Sequence, residues 1–281
     1  MVRRAVKRNF LGERMGFGSI RSAGLSVDRF FGRGALVALG IASVVLLSTS
    51  SGAIEAPPKL GDPDLRDSRV PASVPNISGV WQVRGFDRYT KPIDADTPPW
   101  RPWNKQAFEK RAAAEKAGHP LYDPTAACQP SGMPRIIAAP YPVEIVQTPD
   151  KTVFLYEVQH LFRIVYMNEQ HPAHVEPSYM GHSVGRWDGD TLVIDTVGLV
   201  KNTQIDEAGT LHSEQLHVVE RIRRVDESLE ILFTMTDPKA FTKPWTSKRV
   251  WRWRPDVRFL EYVCEENNRN APDENGVLRN F

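Results

Sequence analysis

The feature that most constrains the fold is a long alternation of apolar and polar residues that begins at Tyr141. Alternation with a period of two predicts β-strands with one buried face. The runs that alternate in this way are 141–148, 152–167, 183–188, 190–197, 214–225, 228–236, 247–254 and 258–265. Asp188-Gly189 lies between two of them and is a strong hairpin signal. A further strand at 77–84 precedes the series, so the chain predicts an all-β domain.

Many short antiparallel strands joined by tight turns are typical of a closed barrel, with a β-sandwich as the alternative. One helix is predicted upstream, over 104–117, where the residues KQAFEKRAAAEKA favour a helix. Asn104 is its expected N-cap and Gly118 its left-handed stop. Residues 119–140 form an extended arm with several prolines. We therefore expect a single β-rich domain over 77–267.

The amino-terminal region differs in charge from the rest of the chain. Residues 1–53 carry eight basic and two acidic side chains, a net charge of +6, and include the uncharged stretch ALVALGIASVVLL at 35–47. That stretch is shorter than the ~20 residues of a membrane span and fits the core of a signal peptide. The sequence predicts a signal peptide over 1–53, with an uncleaved anchor as the alternative. A disordered linker at 54–76 and a loose tail at 268–281 complete the expected organisation.

Export places the body of the chain in the periplasm or outside the cell, without stable membrane insertion after cleavage. This body has 28 basic and 32 acidic residues, and a mildly acidic surface argues against nucleic-acid binding. Cys128 and Cys264 are the only cysteines in the sequence, and an oxidising compartment favours a disulfide between them. Two unpaired buried thiols are the alternative. The sequence leaves the oligomeric state open.

Six of the seven histidines fall between residues 160 and 217. His171, His174 and His182 lie in or beside one connecting loop, where imidazole nitrogens could bind a divalent metal ion. The alternative is that these histidines are solvated or hydrogen-bonded and that the chain has no cofactor.

A carboxylate on an apolar strand face is a second candidate for chemistry. Glu220 alternates with apolar residues and should point into the core, where a lone charge is costly. With His217 or His212 it would form the acid–base pair of an enzyme. The structural alternative is a buried ion pair between Glu220 and Arg163 or Arg186.

Aromatic side chains occur in or beside several strands and predict either an apolar ligand cavity or a filled core. The residues that would line such a cavity, with polar anchors among them, are Tyr156, His160, Arg163, Trp187, Trp251 and Trp253.

Several strings resemble a family of exported bacterial proteins whose activity is uncharacterised. They are EIVQTPD at 144–150, GRWDGDTLVIDT at 185–196, HSEQLHVVERIRR at 212–224 and TDPKAFTKPW at 236–245. The resemblance covers roughly 77–267 and implies no catalytic residues. Separately, Gly79-Val80-Trp81 is similar to the Gly-x-Trp that opens lipocalin-like barrels, which favours a lipocalin-like barrel over a sandwich.

The sequence lacks a glycine-rich phosphate loop, Gly-x-Ser-x-Gly and HExxH. The first functional hypothesis is therefore an exported small-molecule-binding barrel with an aromatic-lined cavity for a mostly apolar ligand. The alternatives are an acid–base or metal-assisted enzyme acting on a small organic substrate, and an interaction module of the cell envelope.

Overall fold

The computed structural model describes residues 67–266, which contain nine β-strands and one α-helix. The strands are β1 (Gly79–Val83), β2 (Val143–Gln147), β3 (Lys151–Tyr156), β4 (Phe162–Met167), β5 (His182–Asp188), β6 (Thr191–Val197), β7 (His217–Val225), β8 (Ser228–Thr236) and β9 (Trp245–Trp253). They pair in chain order, and β1 pairs with β9, so the sheet is a closed barrel. The predicted all-β barrel is confirmed, and the sandwich alternative is wrong.

One pair of neighbouring strands, β4 and β5, runs parallel, whereas we expected an antiparallel barrel throughout. The reason is geometric. Each antiparallel pair of neighbours reverses the strand direction, and the direction must be the original one again after a complete turn around a closed barrel. The number of antiparallel pairs must therefore be even. With nine strands at least one pair must therefore be parallel. This pair spans three residue positions, from Val165 opposite Ser183 to Met167 opposite Gly185.

The predicted strand over 152–167 is wrong as a single element, because it folds into the hairpin of β3 and β4. Gln159 and His160 between them adopt left-handed backbone angles, with φ of 58° and 49°, and reverse the chain. Neither glycine nor proline marks this turn in the sequence. The predicted strand over 258–265 is also wrong, since that segment follows β9 without strand pairing.

Side chains fill the interior of the barrel. Ile145, Phe154, Ile194 and Phe233 point inward and are at most 1% exposed. An internal cavity large enough for a water molecule would count as accessible surface on the side chains around it. The interior around these residues is therefore packed rather than hollow.

The packed interior contains one ion pair, between Arg163 of β4 and Glu220 of β7, whose side chains are 1% and 2% exposed. The Arg163 Nη2 atom donates to Glu220 Oε2 and to Thr196 Oγ1, the latter at 2.7 Å. Its Nε atom donates to Ser183 Oγ at 2.9 Å. Glu220 is thus paired with Arg163, one of the two arginines expected from the sequence as its alternative structural partner.

The helix α1 (Pro102–Lys116) lies against the outside of the barrel, and only Asn104 among its residues is buried. The expected cap is wrong, because Arg101 occupies the N-cap position and Asn104 lies within the first turn. There Asn104 donates from Nδ2 to Leu211 O at 2.9 Å. Gly118, with φ of 78°, follows the end of the helix as predicted.

The arm after α1 joins the barrel core and is cross-linked to the segment after β9. Ile136 and Ile137 of the arm are each 1% exposed. The predicted disulfide is confirmed between Cys128 and Cys264, with a Cα–Cα distance of 5.6 Å and a separation of 136 positions. It closes a long loop of chain around the barrel.

The predicted signal peptide, residues 54–66 of the predicted linker and the tail over 268–281 lie outside the described residues. The remainder of the linker, 67–76, differs from the prediction because it forms turns against the barrel. Val70 in this part is 8% exposed, and Asp67 N donates to Gln147 O at 3.1 Å.

Candidate functional site

An open groove lies in the barrel wall beside the short parallel pair. Pairing between β4 and β5 begins only at Val165 and Ser183. Ahead of that point, Phe162–Ile164 of β4 and the segment 178–182 separate, and the space between them has a volume of about 390 Å³. That volume lies within the range of about 300–1,000 Å³ that is usual for small-molecule sites. Four other cavities among residues 67–266 measure between about 10 and 220 Å³.

Hydrogen bonds join segment 178–182 to residues outside β4. Ser178 N donates to Gly198 O at 2.9 Å, and Met133 N donates to Tyr179 O at 2.9 Å. Gly181 adopts φ of +66°, and a Cβ atom there would lie 2.6 Å from Val197 O. Glycine is therefore required for this close approach, and the approach keeps the groove open.

The groove is lined mostly by apolar and aromatic side chains. Phe162 on the outer face of β4 is 61% exposed, which is unusual for a large apolar residue. The other lining residues are His160, Leu161, Ile164, Tyr166, Ser178, Tyr179, Met180, Gly181 and His182. An exposed apolar surface that lines an open groove is typical of a site for an apolar ligand.

A cluster of three histidines and one aspartate adjoins the groove, and we call it the Asp195 cluster. It comprises His171, His182, Asp195 and His217. The Oδ1 atom of Asp195 lies 3.0 Å from His171 Nε2 and 2.7 Å from His217 Nε2. The Nδ1 atoms of His171 and His182 are 2.9 Å apart. The cluster is thus a continuous hydrogen-bonded chain across the outer barrel surface.

Strand alternation and the long β4–β5 crossover explain how the cluster assembles. His182, Asp195 and His217 point outward from β5, β6 and β7, which are neighbours in the sheet. A parallel connection needs a crossover of a dozen or more residues, and this one brings His171 over the outer face. The His182 ring stacks on Tyr166 at 5.3 Å between centroids, so the cluster contacts the groove through His182.

Burial lowers the pKa of His182 below its ordinary value because it disfavours the charged ring, and the repulsion that charged rings at His171 and His182 would experience lowers it further. Both effects favour the neutral ring of His182, which has one protonated and one unprotonated nitrogen.

The structure brings together two of the three predicted metal ligands. His171 and His182 are adjacent, but His174 lies apart from them, exposed, with its Nε2 atom 2.9 Å from Glu176 Oε1. Among residues 67–266, no three or more His, Cys, Asp or Glu side chains are arranged to hold a metal ion.

The predicted acid–base residues are not brought together. Glu220 points into the barrel, where Arg163 neutralises it, while His217 lies on the outer face with 40% of its side chain exposed. His212 is buried and bonded to Thr203 Oγ1 at 2.8 Å and to Ser213 O at 2.9 Å. Burial also lowers the pKa of His212. Opposite orientations on one strand separate Glu220 from His217, so the predicted pair does not form.

The residues predicted to line an internal cavity differ in position. Tyr156, Arg163 and Trp251 are buried within the barrel, where Trp251 Nε1 donates to Ile137 O at 2.9 Å. The remaining two tryptophans of that prediction, Trp187 and Trp253, are partly buried against the same core. His160 alone among the six lines the groove, where its Nε2 atom accepts from Tyr262 N at 3.0 Å. The correction follows from the filled interior and from the turn at 157–161, which moves His160 outside.

Sequence reasoning missed the roles of Phe162 and Asp195. In a single strand over 152–167, Phe162 would lie on the same face as Phe154 and point inward, whereas the turn at 157–161 places it on the outer face of β4. Asp195 lies on the outward face of β6 and His217 on the outward face of β7. Polar residues on the same face of neighbouring strands can pair, and this is the sequence signal that could have indicated their contact.

Comparisons with known proteins do not identify a function. No protein-family model matches the chain, and no curated protein does so. Among solved structures, the chain is similar to the REP1-NXSQ fatty acid transporter, with 9% identity and a TM-score of 0.32. The match covers 64% of this chain and 97% of that chain. A likeness this low supports neither a fold nor a function, so the fold assignment rests on the strand pairing itself.

No helix within residues 67–266 is both long enough and apolar enough to cross a membrane. The disulfide between Cys128 and Cys264 indicates a compartment other than the reducing cytoplasm.

Proposed function

We propose that this protein binds an elongated, mostly apolar small molecule in the wall groove between β4 and segment 178–182. The observation that carries the proposal is the exposed ring of Phe162 in an open groove of about 390 Å³. Covering this surface with an apolar ligand removes it from water and gains about 25 cal/mol per Å² of apolar area.

The proposed ligand has one polar end. The groove is apolar along Phe162, Ile164 and Met180, and it contains the polar ring of His182 where β4 and β5 come into register. A chain-like molecule would lie along β4 with its polar group beside the Asp195 cluster. The filled barrel interior makes the wall groove, rather than a central cavity, the proposed site.

We further propose that binding occurs outside the cytoplasm, in the periplasm or after secretion. The disulfide and the apolar stretch at 35–47 support this location.

Titration with 1-dodecanol, followed by calorimetry on the disulfide-bonded protein, tests the proposed site. Phe162→Asp places a charge in the groove, and we expect at least about a tenfold loss of affinity because burial of an aromatic ring contributes 1.5–3 kcal/mol. Ile93→Asp is the matched control, since Ile93 is also 61% exposed but does not line the groove.

Unchanged affinity of Phe162→Asp, or equal losses in both variants, would contradict the groove as the binding site. Absence of binding to the unsubstituted protein by a series of alkanols would remove the proposed function itself.

A further inference from the structure

The donor and the acceptor of each hydrogen bond in the Asp195 cluster can be assigned from one residue to the next. A carboxylate only accepts hydrogen bonds, so the Nε2 atoms of both His171 and His217 must donate to Asp195 Oδ1. A neutral His171 that carries its proton on Nε2 has an unprotonated Nδ1. That Nδ1 atom lies 2.9 Å from His182 Nδ1 and accepts a hydrogen bond from the Nδ1–H group of His182.

The hydrogen bond to His171 determines the tautomer of His182. Its single proton is on Nδ1, so its Nε2 atom has a free lone pair. Within residues 67–266, His182 makes its hydrogen bond through Nδ1 to His171, and its ring lines the groove and stacks on Tyr166. The aspartate therefore determines, through two imidazole rings, which hydrogen-bonding group His182 can offer to a bound molecule.

We infer that the His182 Nε2 atom is a fixed hydrogen-bond acceptor that selects ligands with a hydroxyl group at their polar end. This inference rests on the proposed groove function and names the chemical class of its ligand, a long-chain alcohol. The charge of the cluster supports the choice. Asp195 is its carboxylate, the hydrogen bonds of this arrangement need only one proton on each histidine, and Glu169 is a further nearby acid. A ligand carboxylate would meet negative charge and an acceptor without a proton.

Two ligands that differ only in the donor proton test the selection. We compare 1-dodecanol with its methyl ether, which keeps the oxygen as an acceptor but cannot donate. The unsubstituted protein should bind the alcohol about three- to tenfold more tightly, the effect of one neutral hydrogen bond. His182→Phe keeps a ring against Tyr166 but removes the acceptor, so the two ligands should then bind equally.

His174→Phe is the matched control, because His174 belongs to the same crossover but bonds Glu176 outside the cluster. It should preserve the preference for the alcohol. Equal affinities in the unsubstituted protein, or an undiminished preference in His182→Phe, would overturn the inference while leaving the groove as a binding site. If neither ligand binds, the proposed function and the ligand class both fall.

Nitrogen-15 spectra of the imidazole rings at pH 7.5 test the hydrogen-bond chain without any ligand. The expected result is a proton on Nε2 of His171 and on Nδ1 of His182. A proton on Nε2 of His182 would overturn the assignment of that atom as an acceptor, whatever the titrations show.

Discussion

Removing one partner of the buried Arg163–Glu220 pair should destabilise the barrel far more than removing both. Glu220→Leu leaves the guanidinium of Arg163, which is 1% exposed, without its carboxylate. Arg163→Met leaves Glu220 uncompensated in the same way. Breaking a buried ion pair on one side costs about 3–5 kcal/mol, because the remaining charge keeps its desolvation cost and loses its partner.

The two local hydrogen bonds of Arg163 decide how well the double variant recovers. Ser183 and Thr196 lose a donor when Arg163 is replaced, but their hydroxyl groups also lie 3.0 Å from one another and can bond together. Arg163→Met with Glu220→Leu removes both charges and keeps apolar volume. We therefore expect a loss for the double variant at least about 4 kcal/mol smaller than the sum of the single losses.

Urea unfolding followed by tryptophan fluorescence measures the three variants against the unsubstituted protein. Each single variant should also melt about 6–20 °C lower, given 2–4 °C per kcal/mol for a domain of this size. Single losses below about 1 kcal/mol, or additive losses, would refute the role assigned to the pair. Because Arg163 and Glu220 face inward, all folded variants should bind 1-dodecanol with unchanged affinity. Loss of binding in a folded Glu220→Leu protein would instead favour a functional role for Glu220.

Three further predictions follow from single features of the structure. Gly181→Ala should lower the free energy of unfolding by more than the ~1–2 kcal/mol that a left-handed alanine costs, and it should weaken alkanol binding. Gly189→Ala is the control, because Gly189 also has a left-handed φ but has open space around it, so only the backbone cost is expected. Urea unfolding measures the stability of both variants, and calorimetry measures their alkanol binding. Cys128→Ser with Cys264→Ser should lower the free energy of unfolding by about 5 kcal/mol, and an unchanged urea midpoint would contradict this. Burial lowers the pKa of His212, so its contribution to the free energy of unfolding should be complete above about pH 6.5 and should decrease below that pH by at most ~1.4 kcal/mol per pH unit. Urea midpoints measured against pH should show this decrease, and the decrease should be smaller in His212→Gln.

Local patterns predicted most of the strands, because alternation and turn residues act over a few positions. Asp188-Gly189 correctly marked the β5–β6 hairpin, in which Asp188 pairs with Thr191. The turn after Tyr156 escaped detection because Gln159 and His160 adopt left-handed angles that glycine or asparagine would normally signal. Tertiary contacts hold this turn, including the bond from Tyr262 N to His160 Nε2.

The candidate site was harder to predict because it depends on register and on ring closure. Histidines at 171, 182 and 217 were visible in the sequence, but the contact of His217 with Asp195 requires the register between β6 and β7, and His182 joins the cluster only through His171. A closed ring with an odd number of strands requires at least one parallel pair, which here is β4–β5, and the groove lies beside that pair. No local pattern specifies which pair that will be.

The location of a bound apolar chain is the most direct test of this account. The measurement is the set of intermolecular nuclear Overhauser effects between 1-dodecanol of natural hydrogen content and the ¹H-labelled methyl groups of an otherwise deuterated protein. We expect contacts from the alkyl chain to the methyl groups of Ile164 and Met180, which line the groove. Contacts to Ile145 and Ile194 inside the barrel would contradict the account, because those side chains lie in a filled interior.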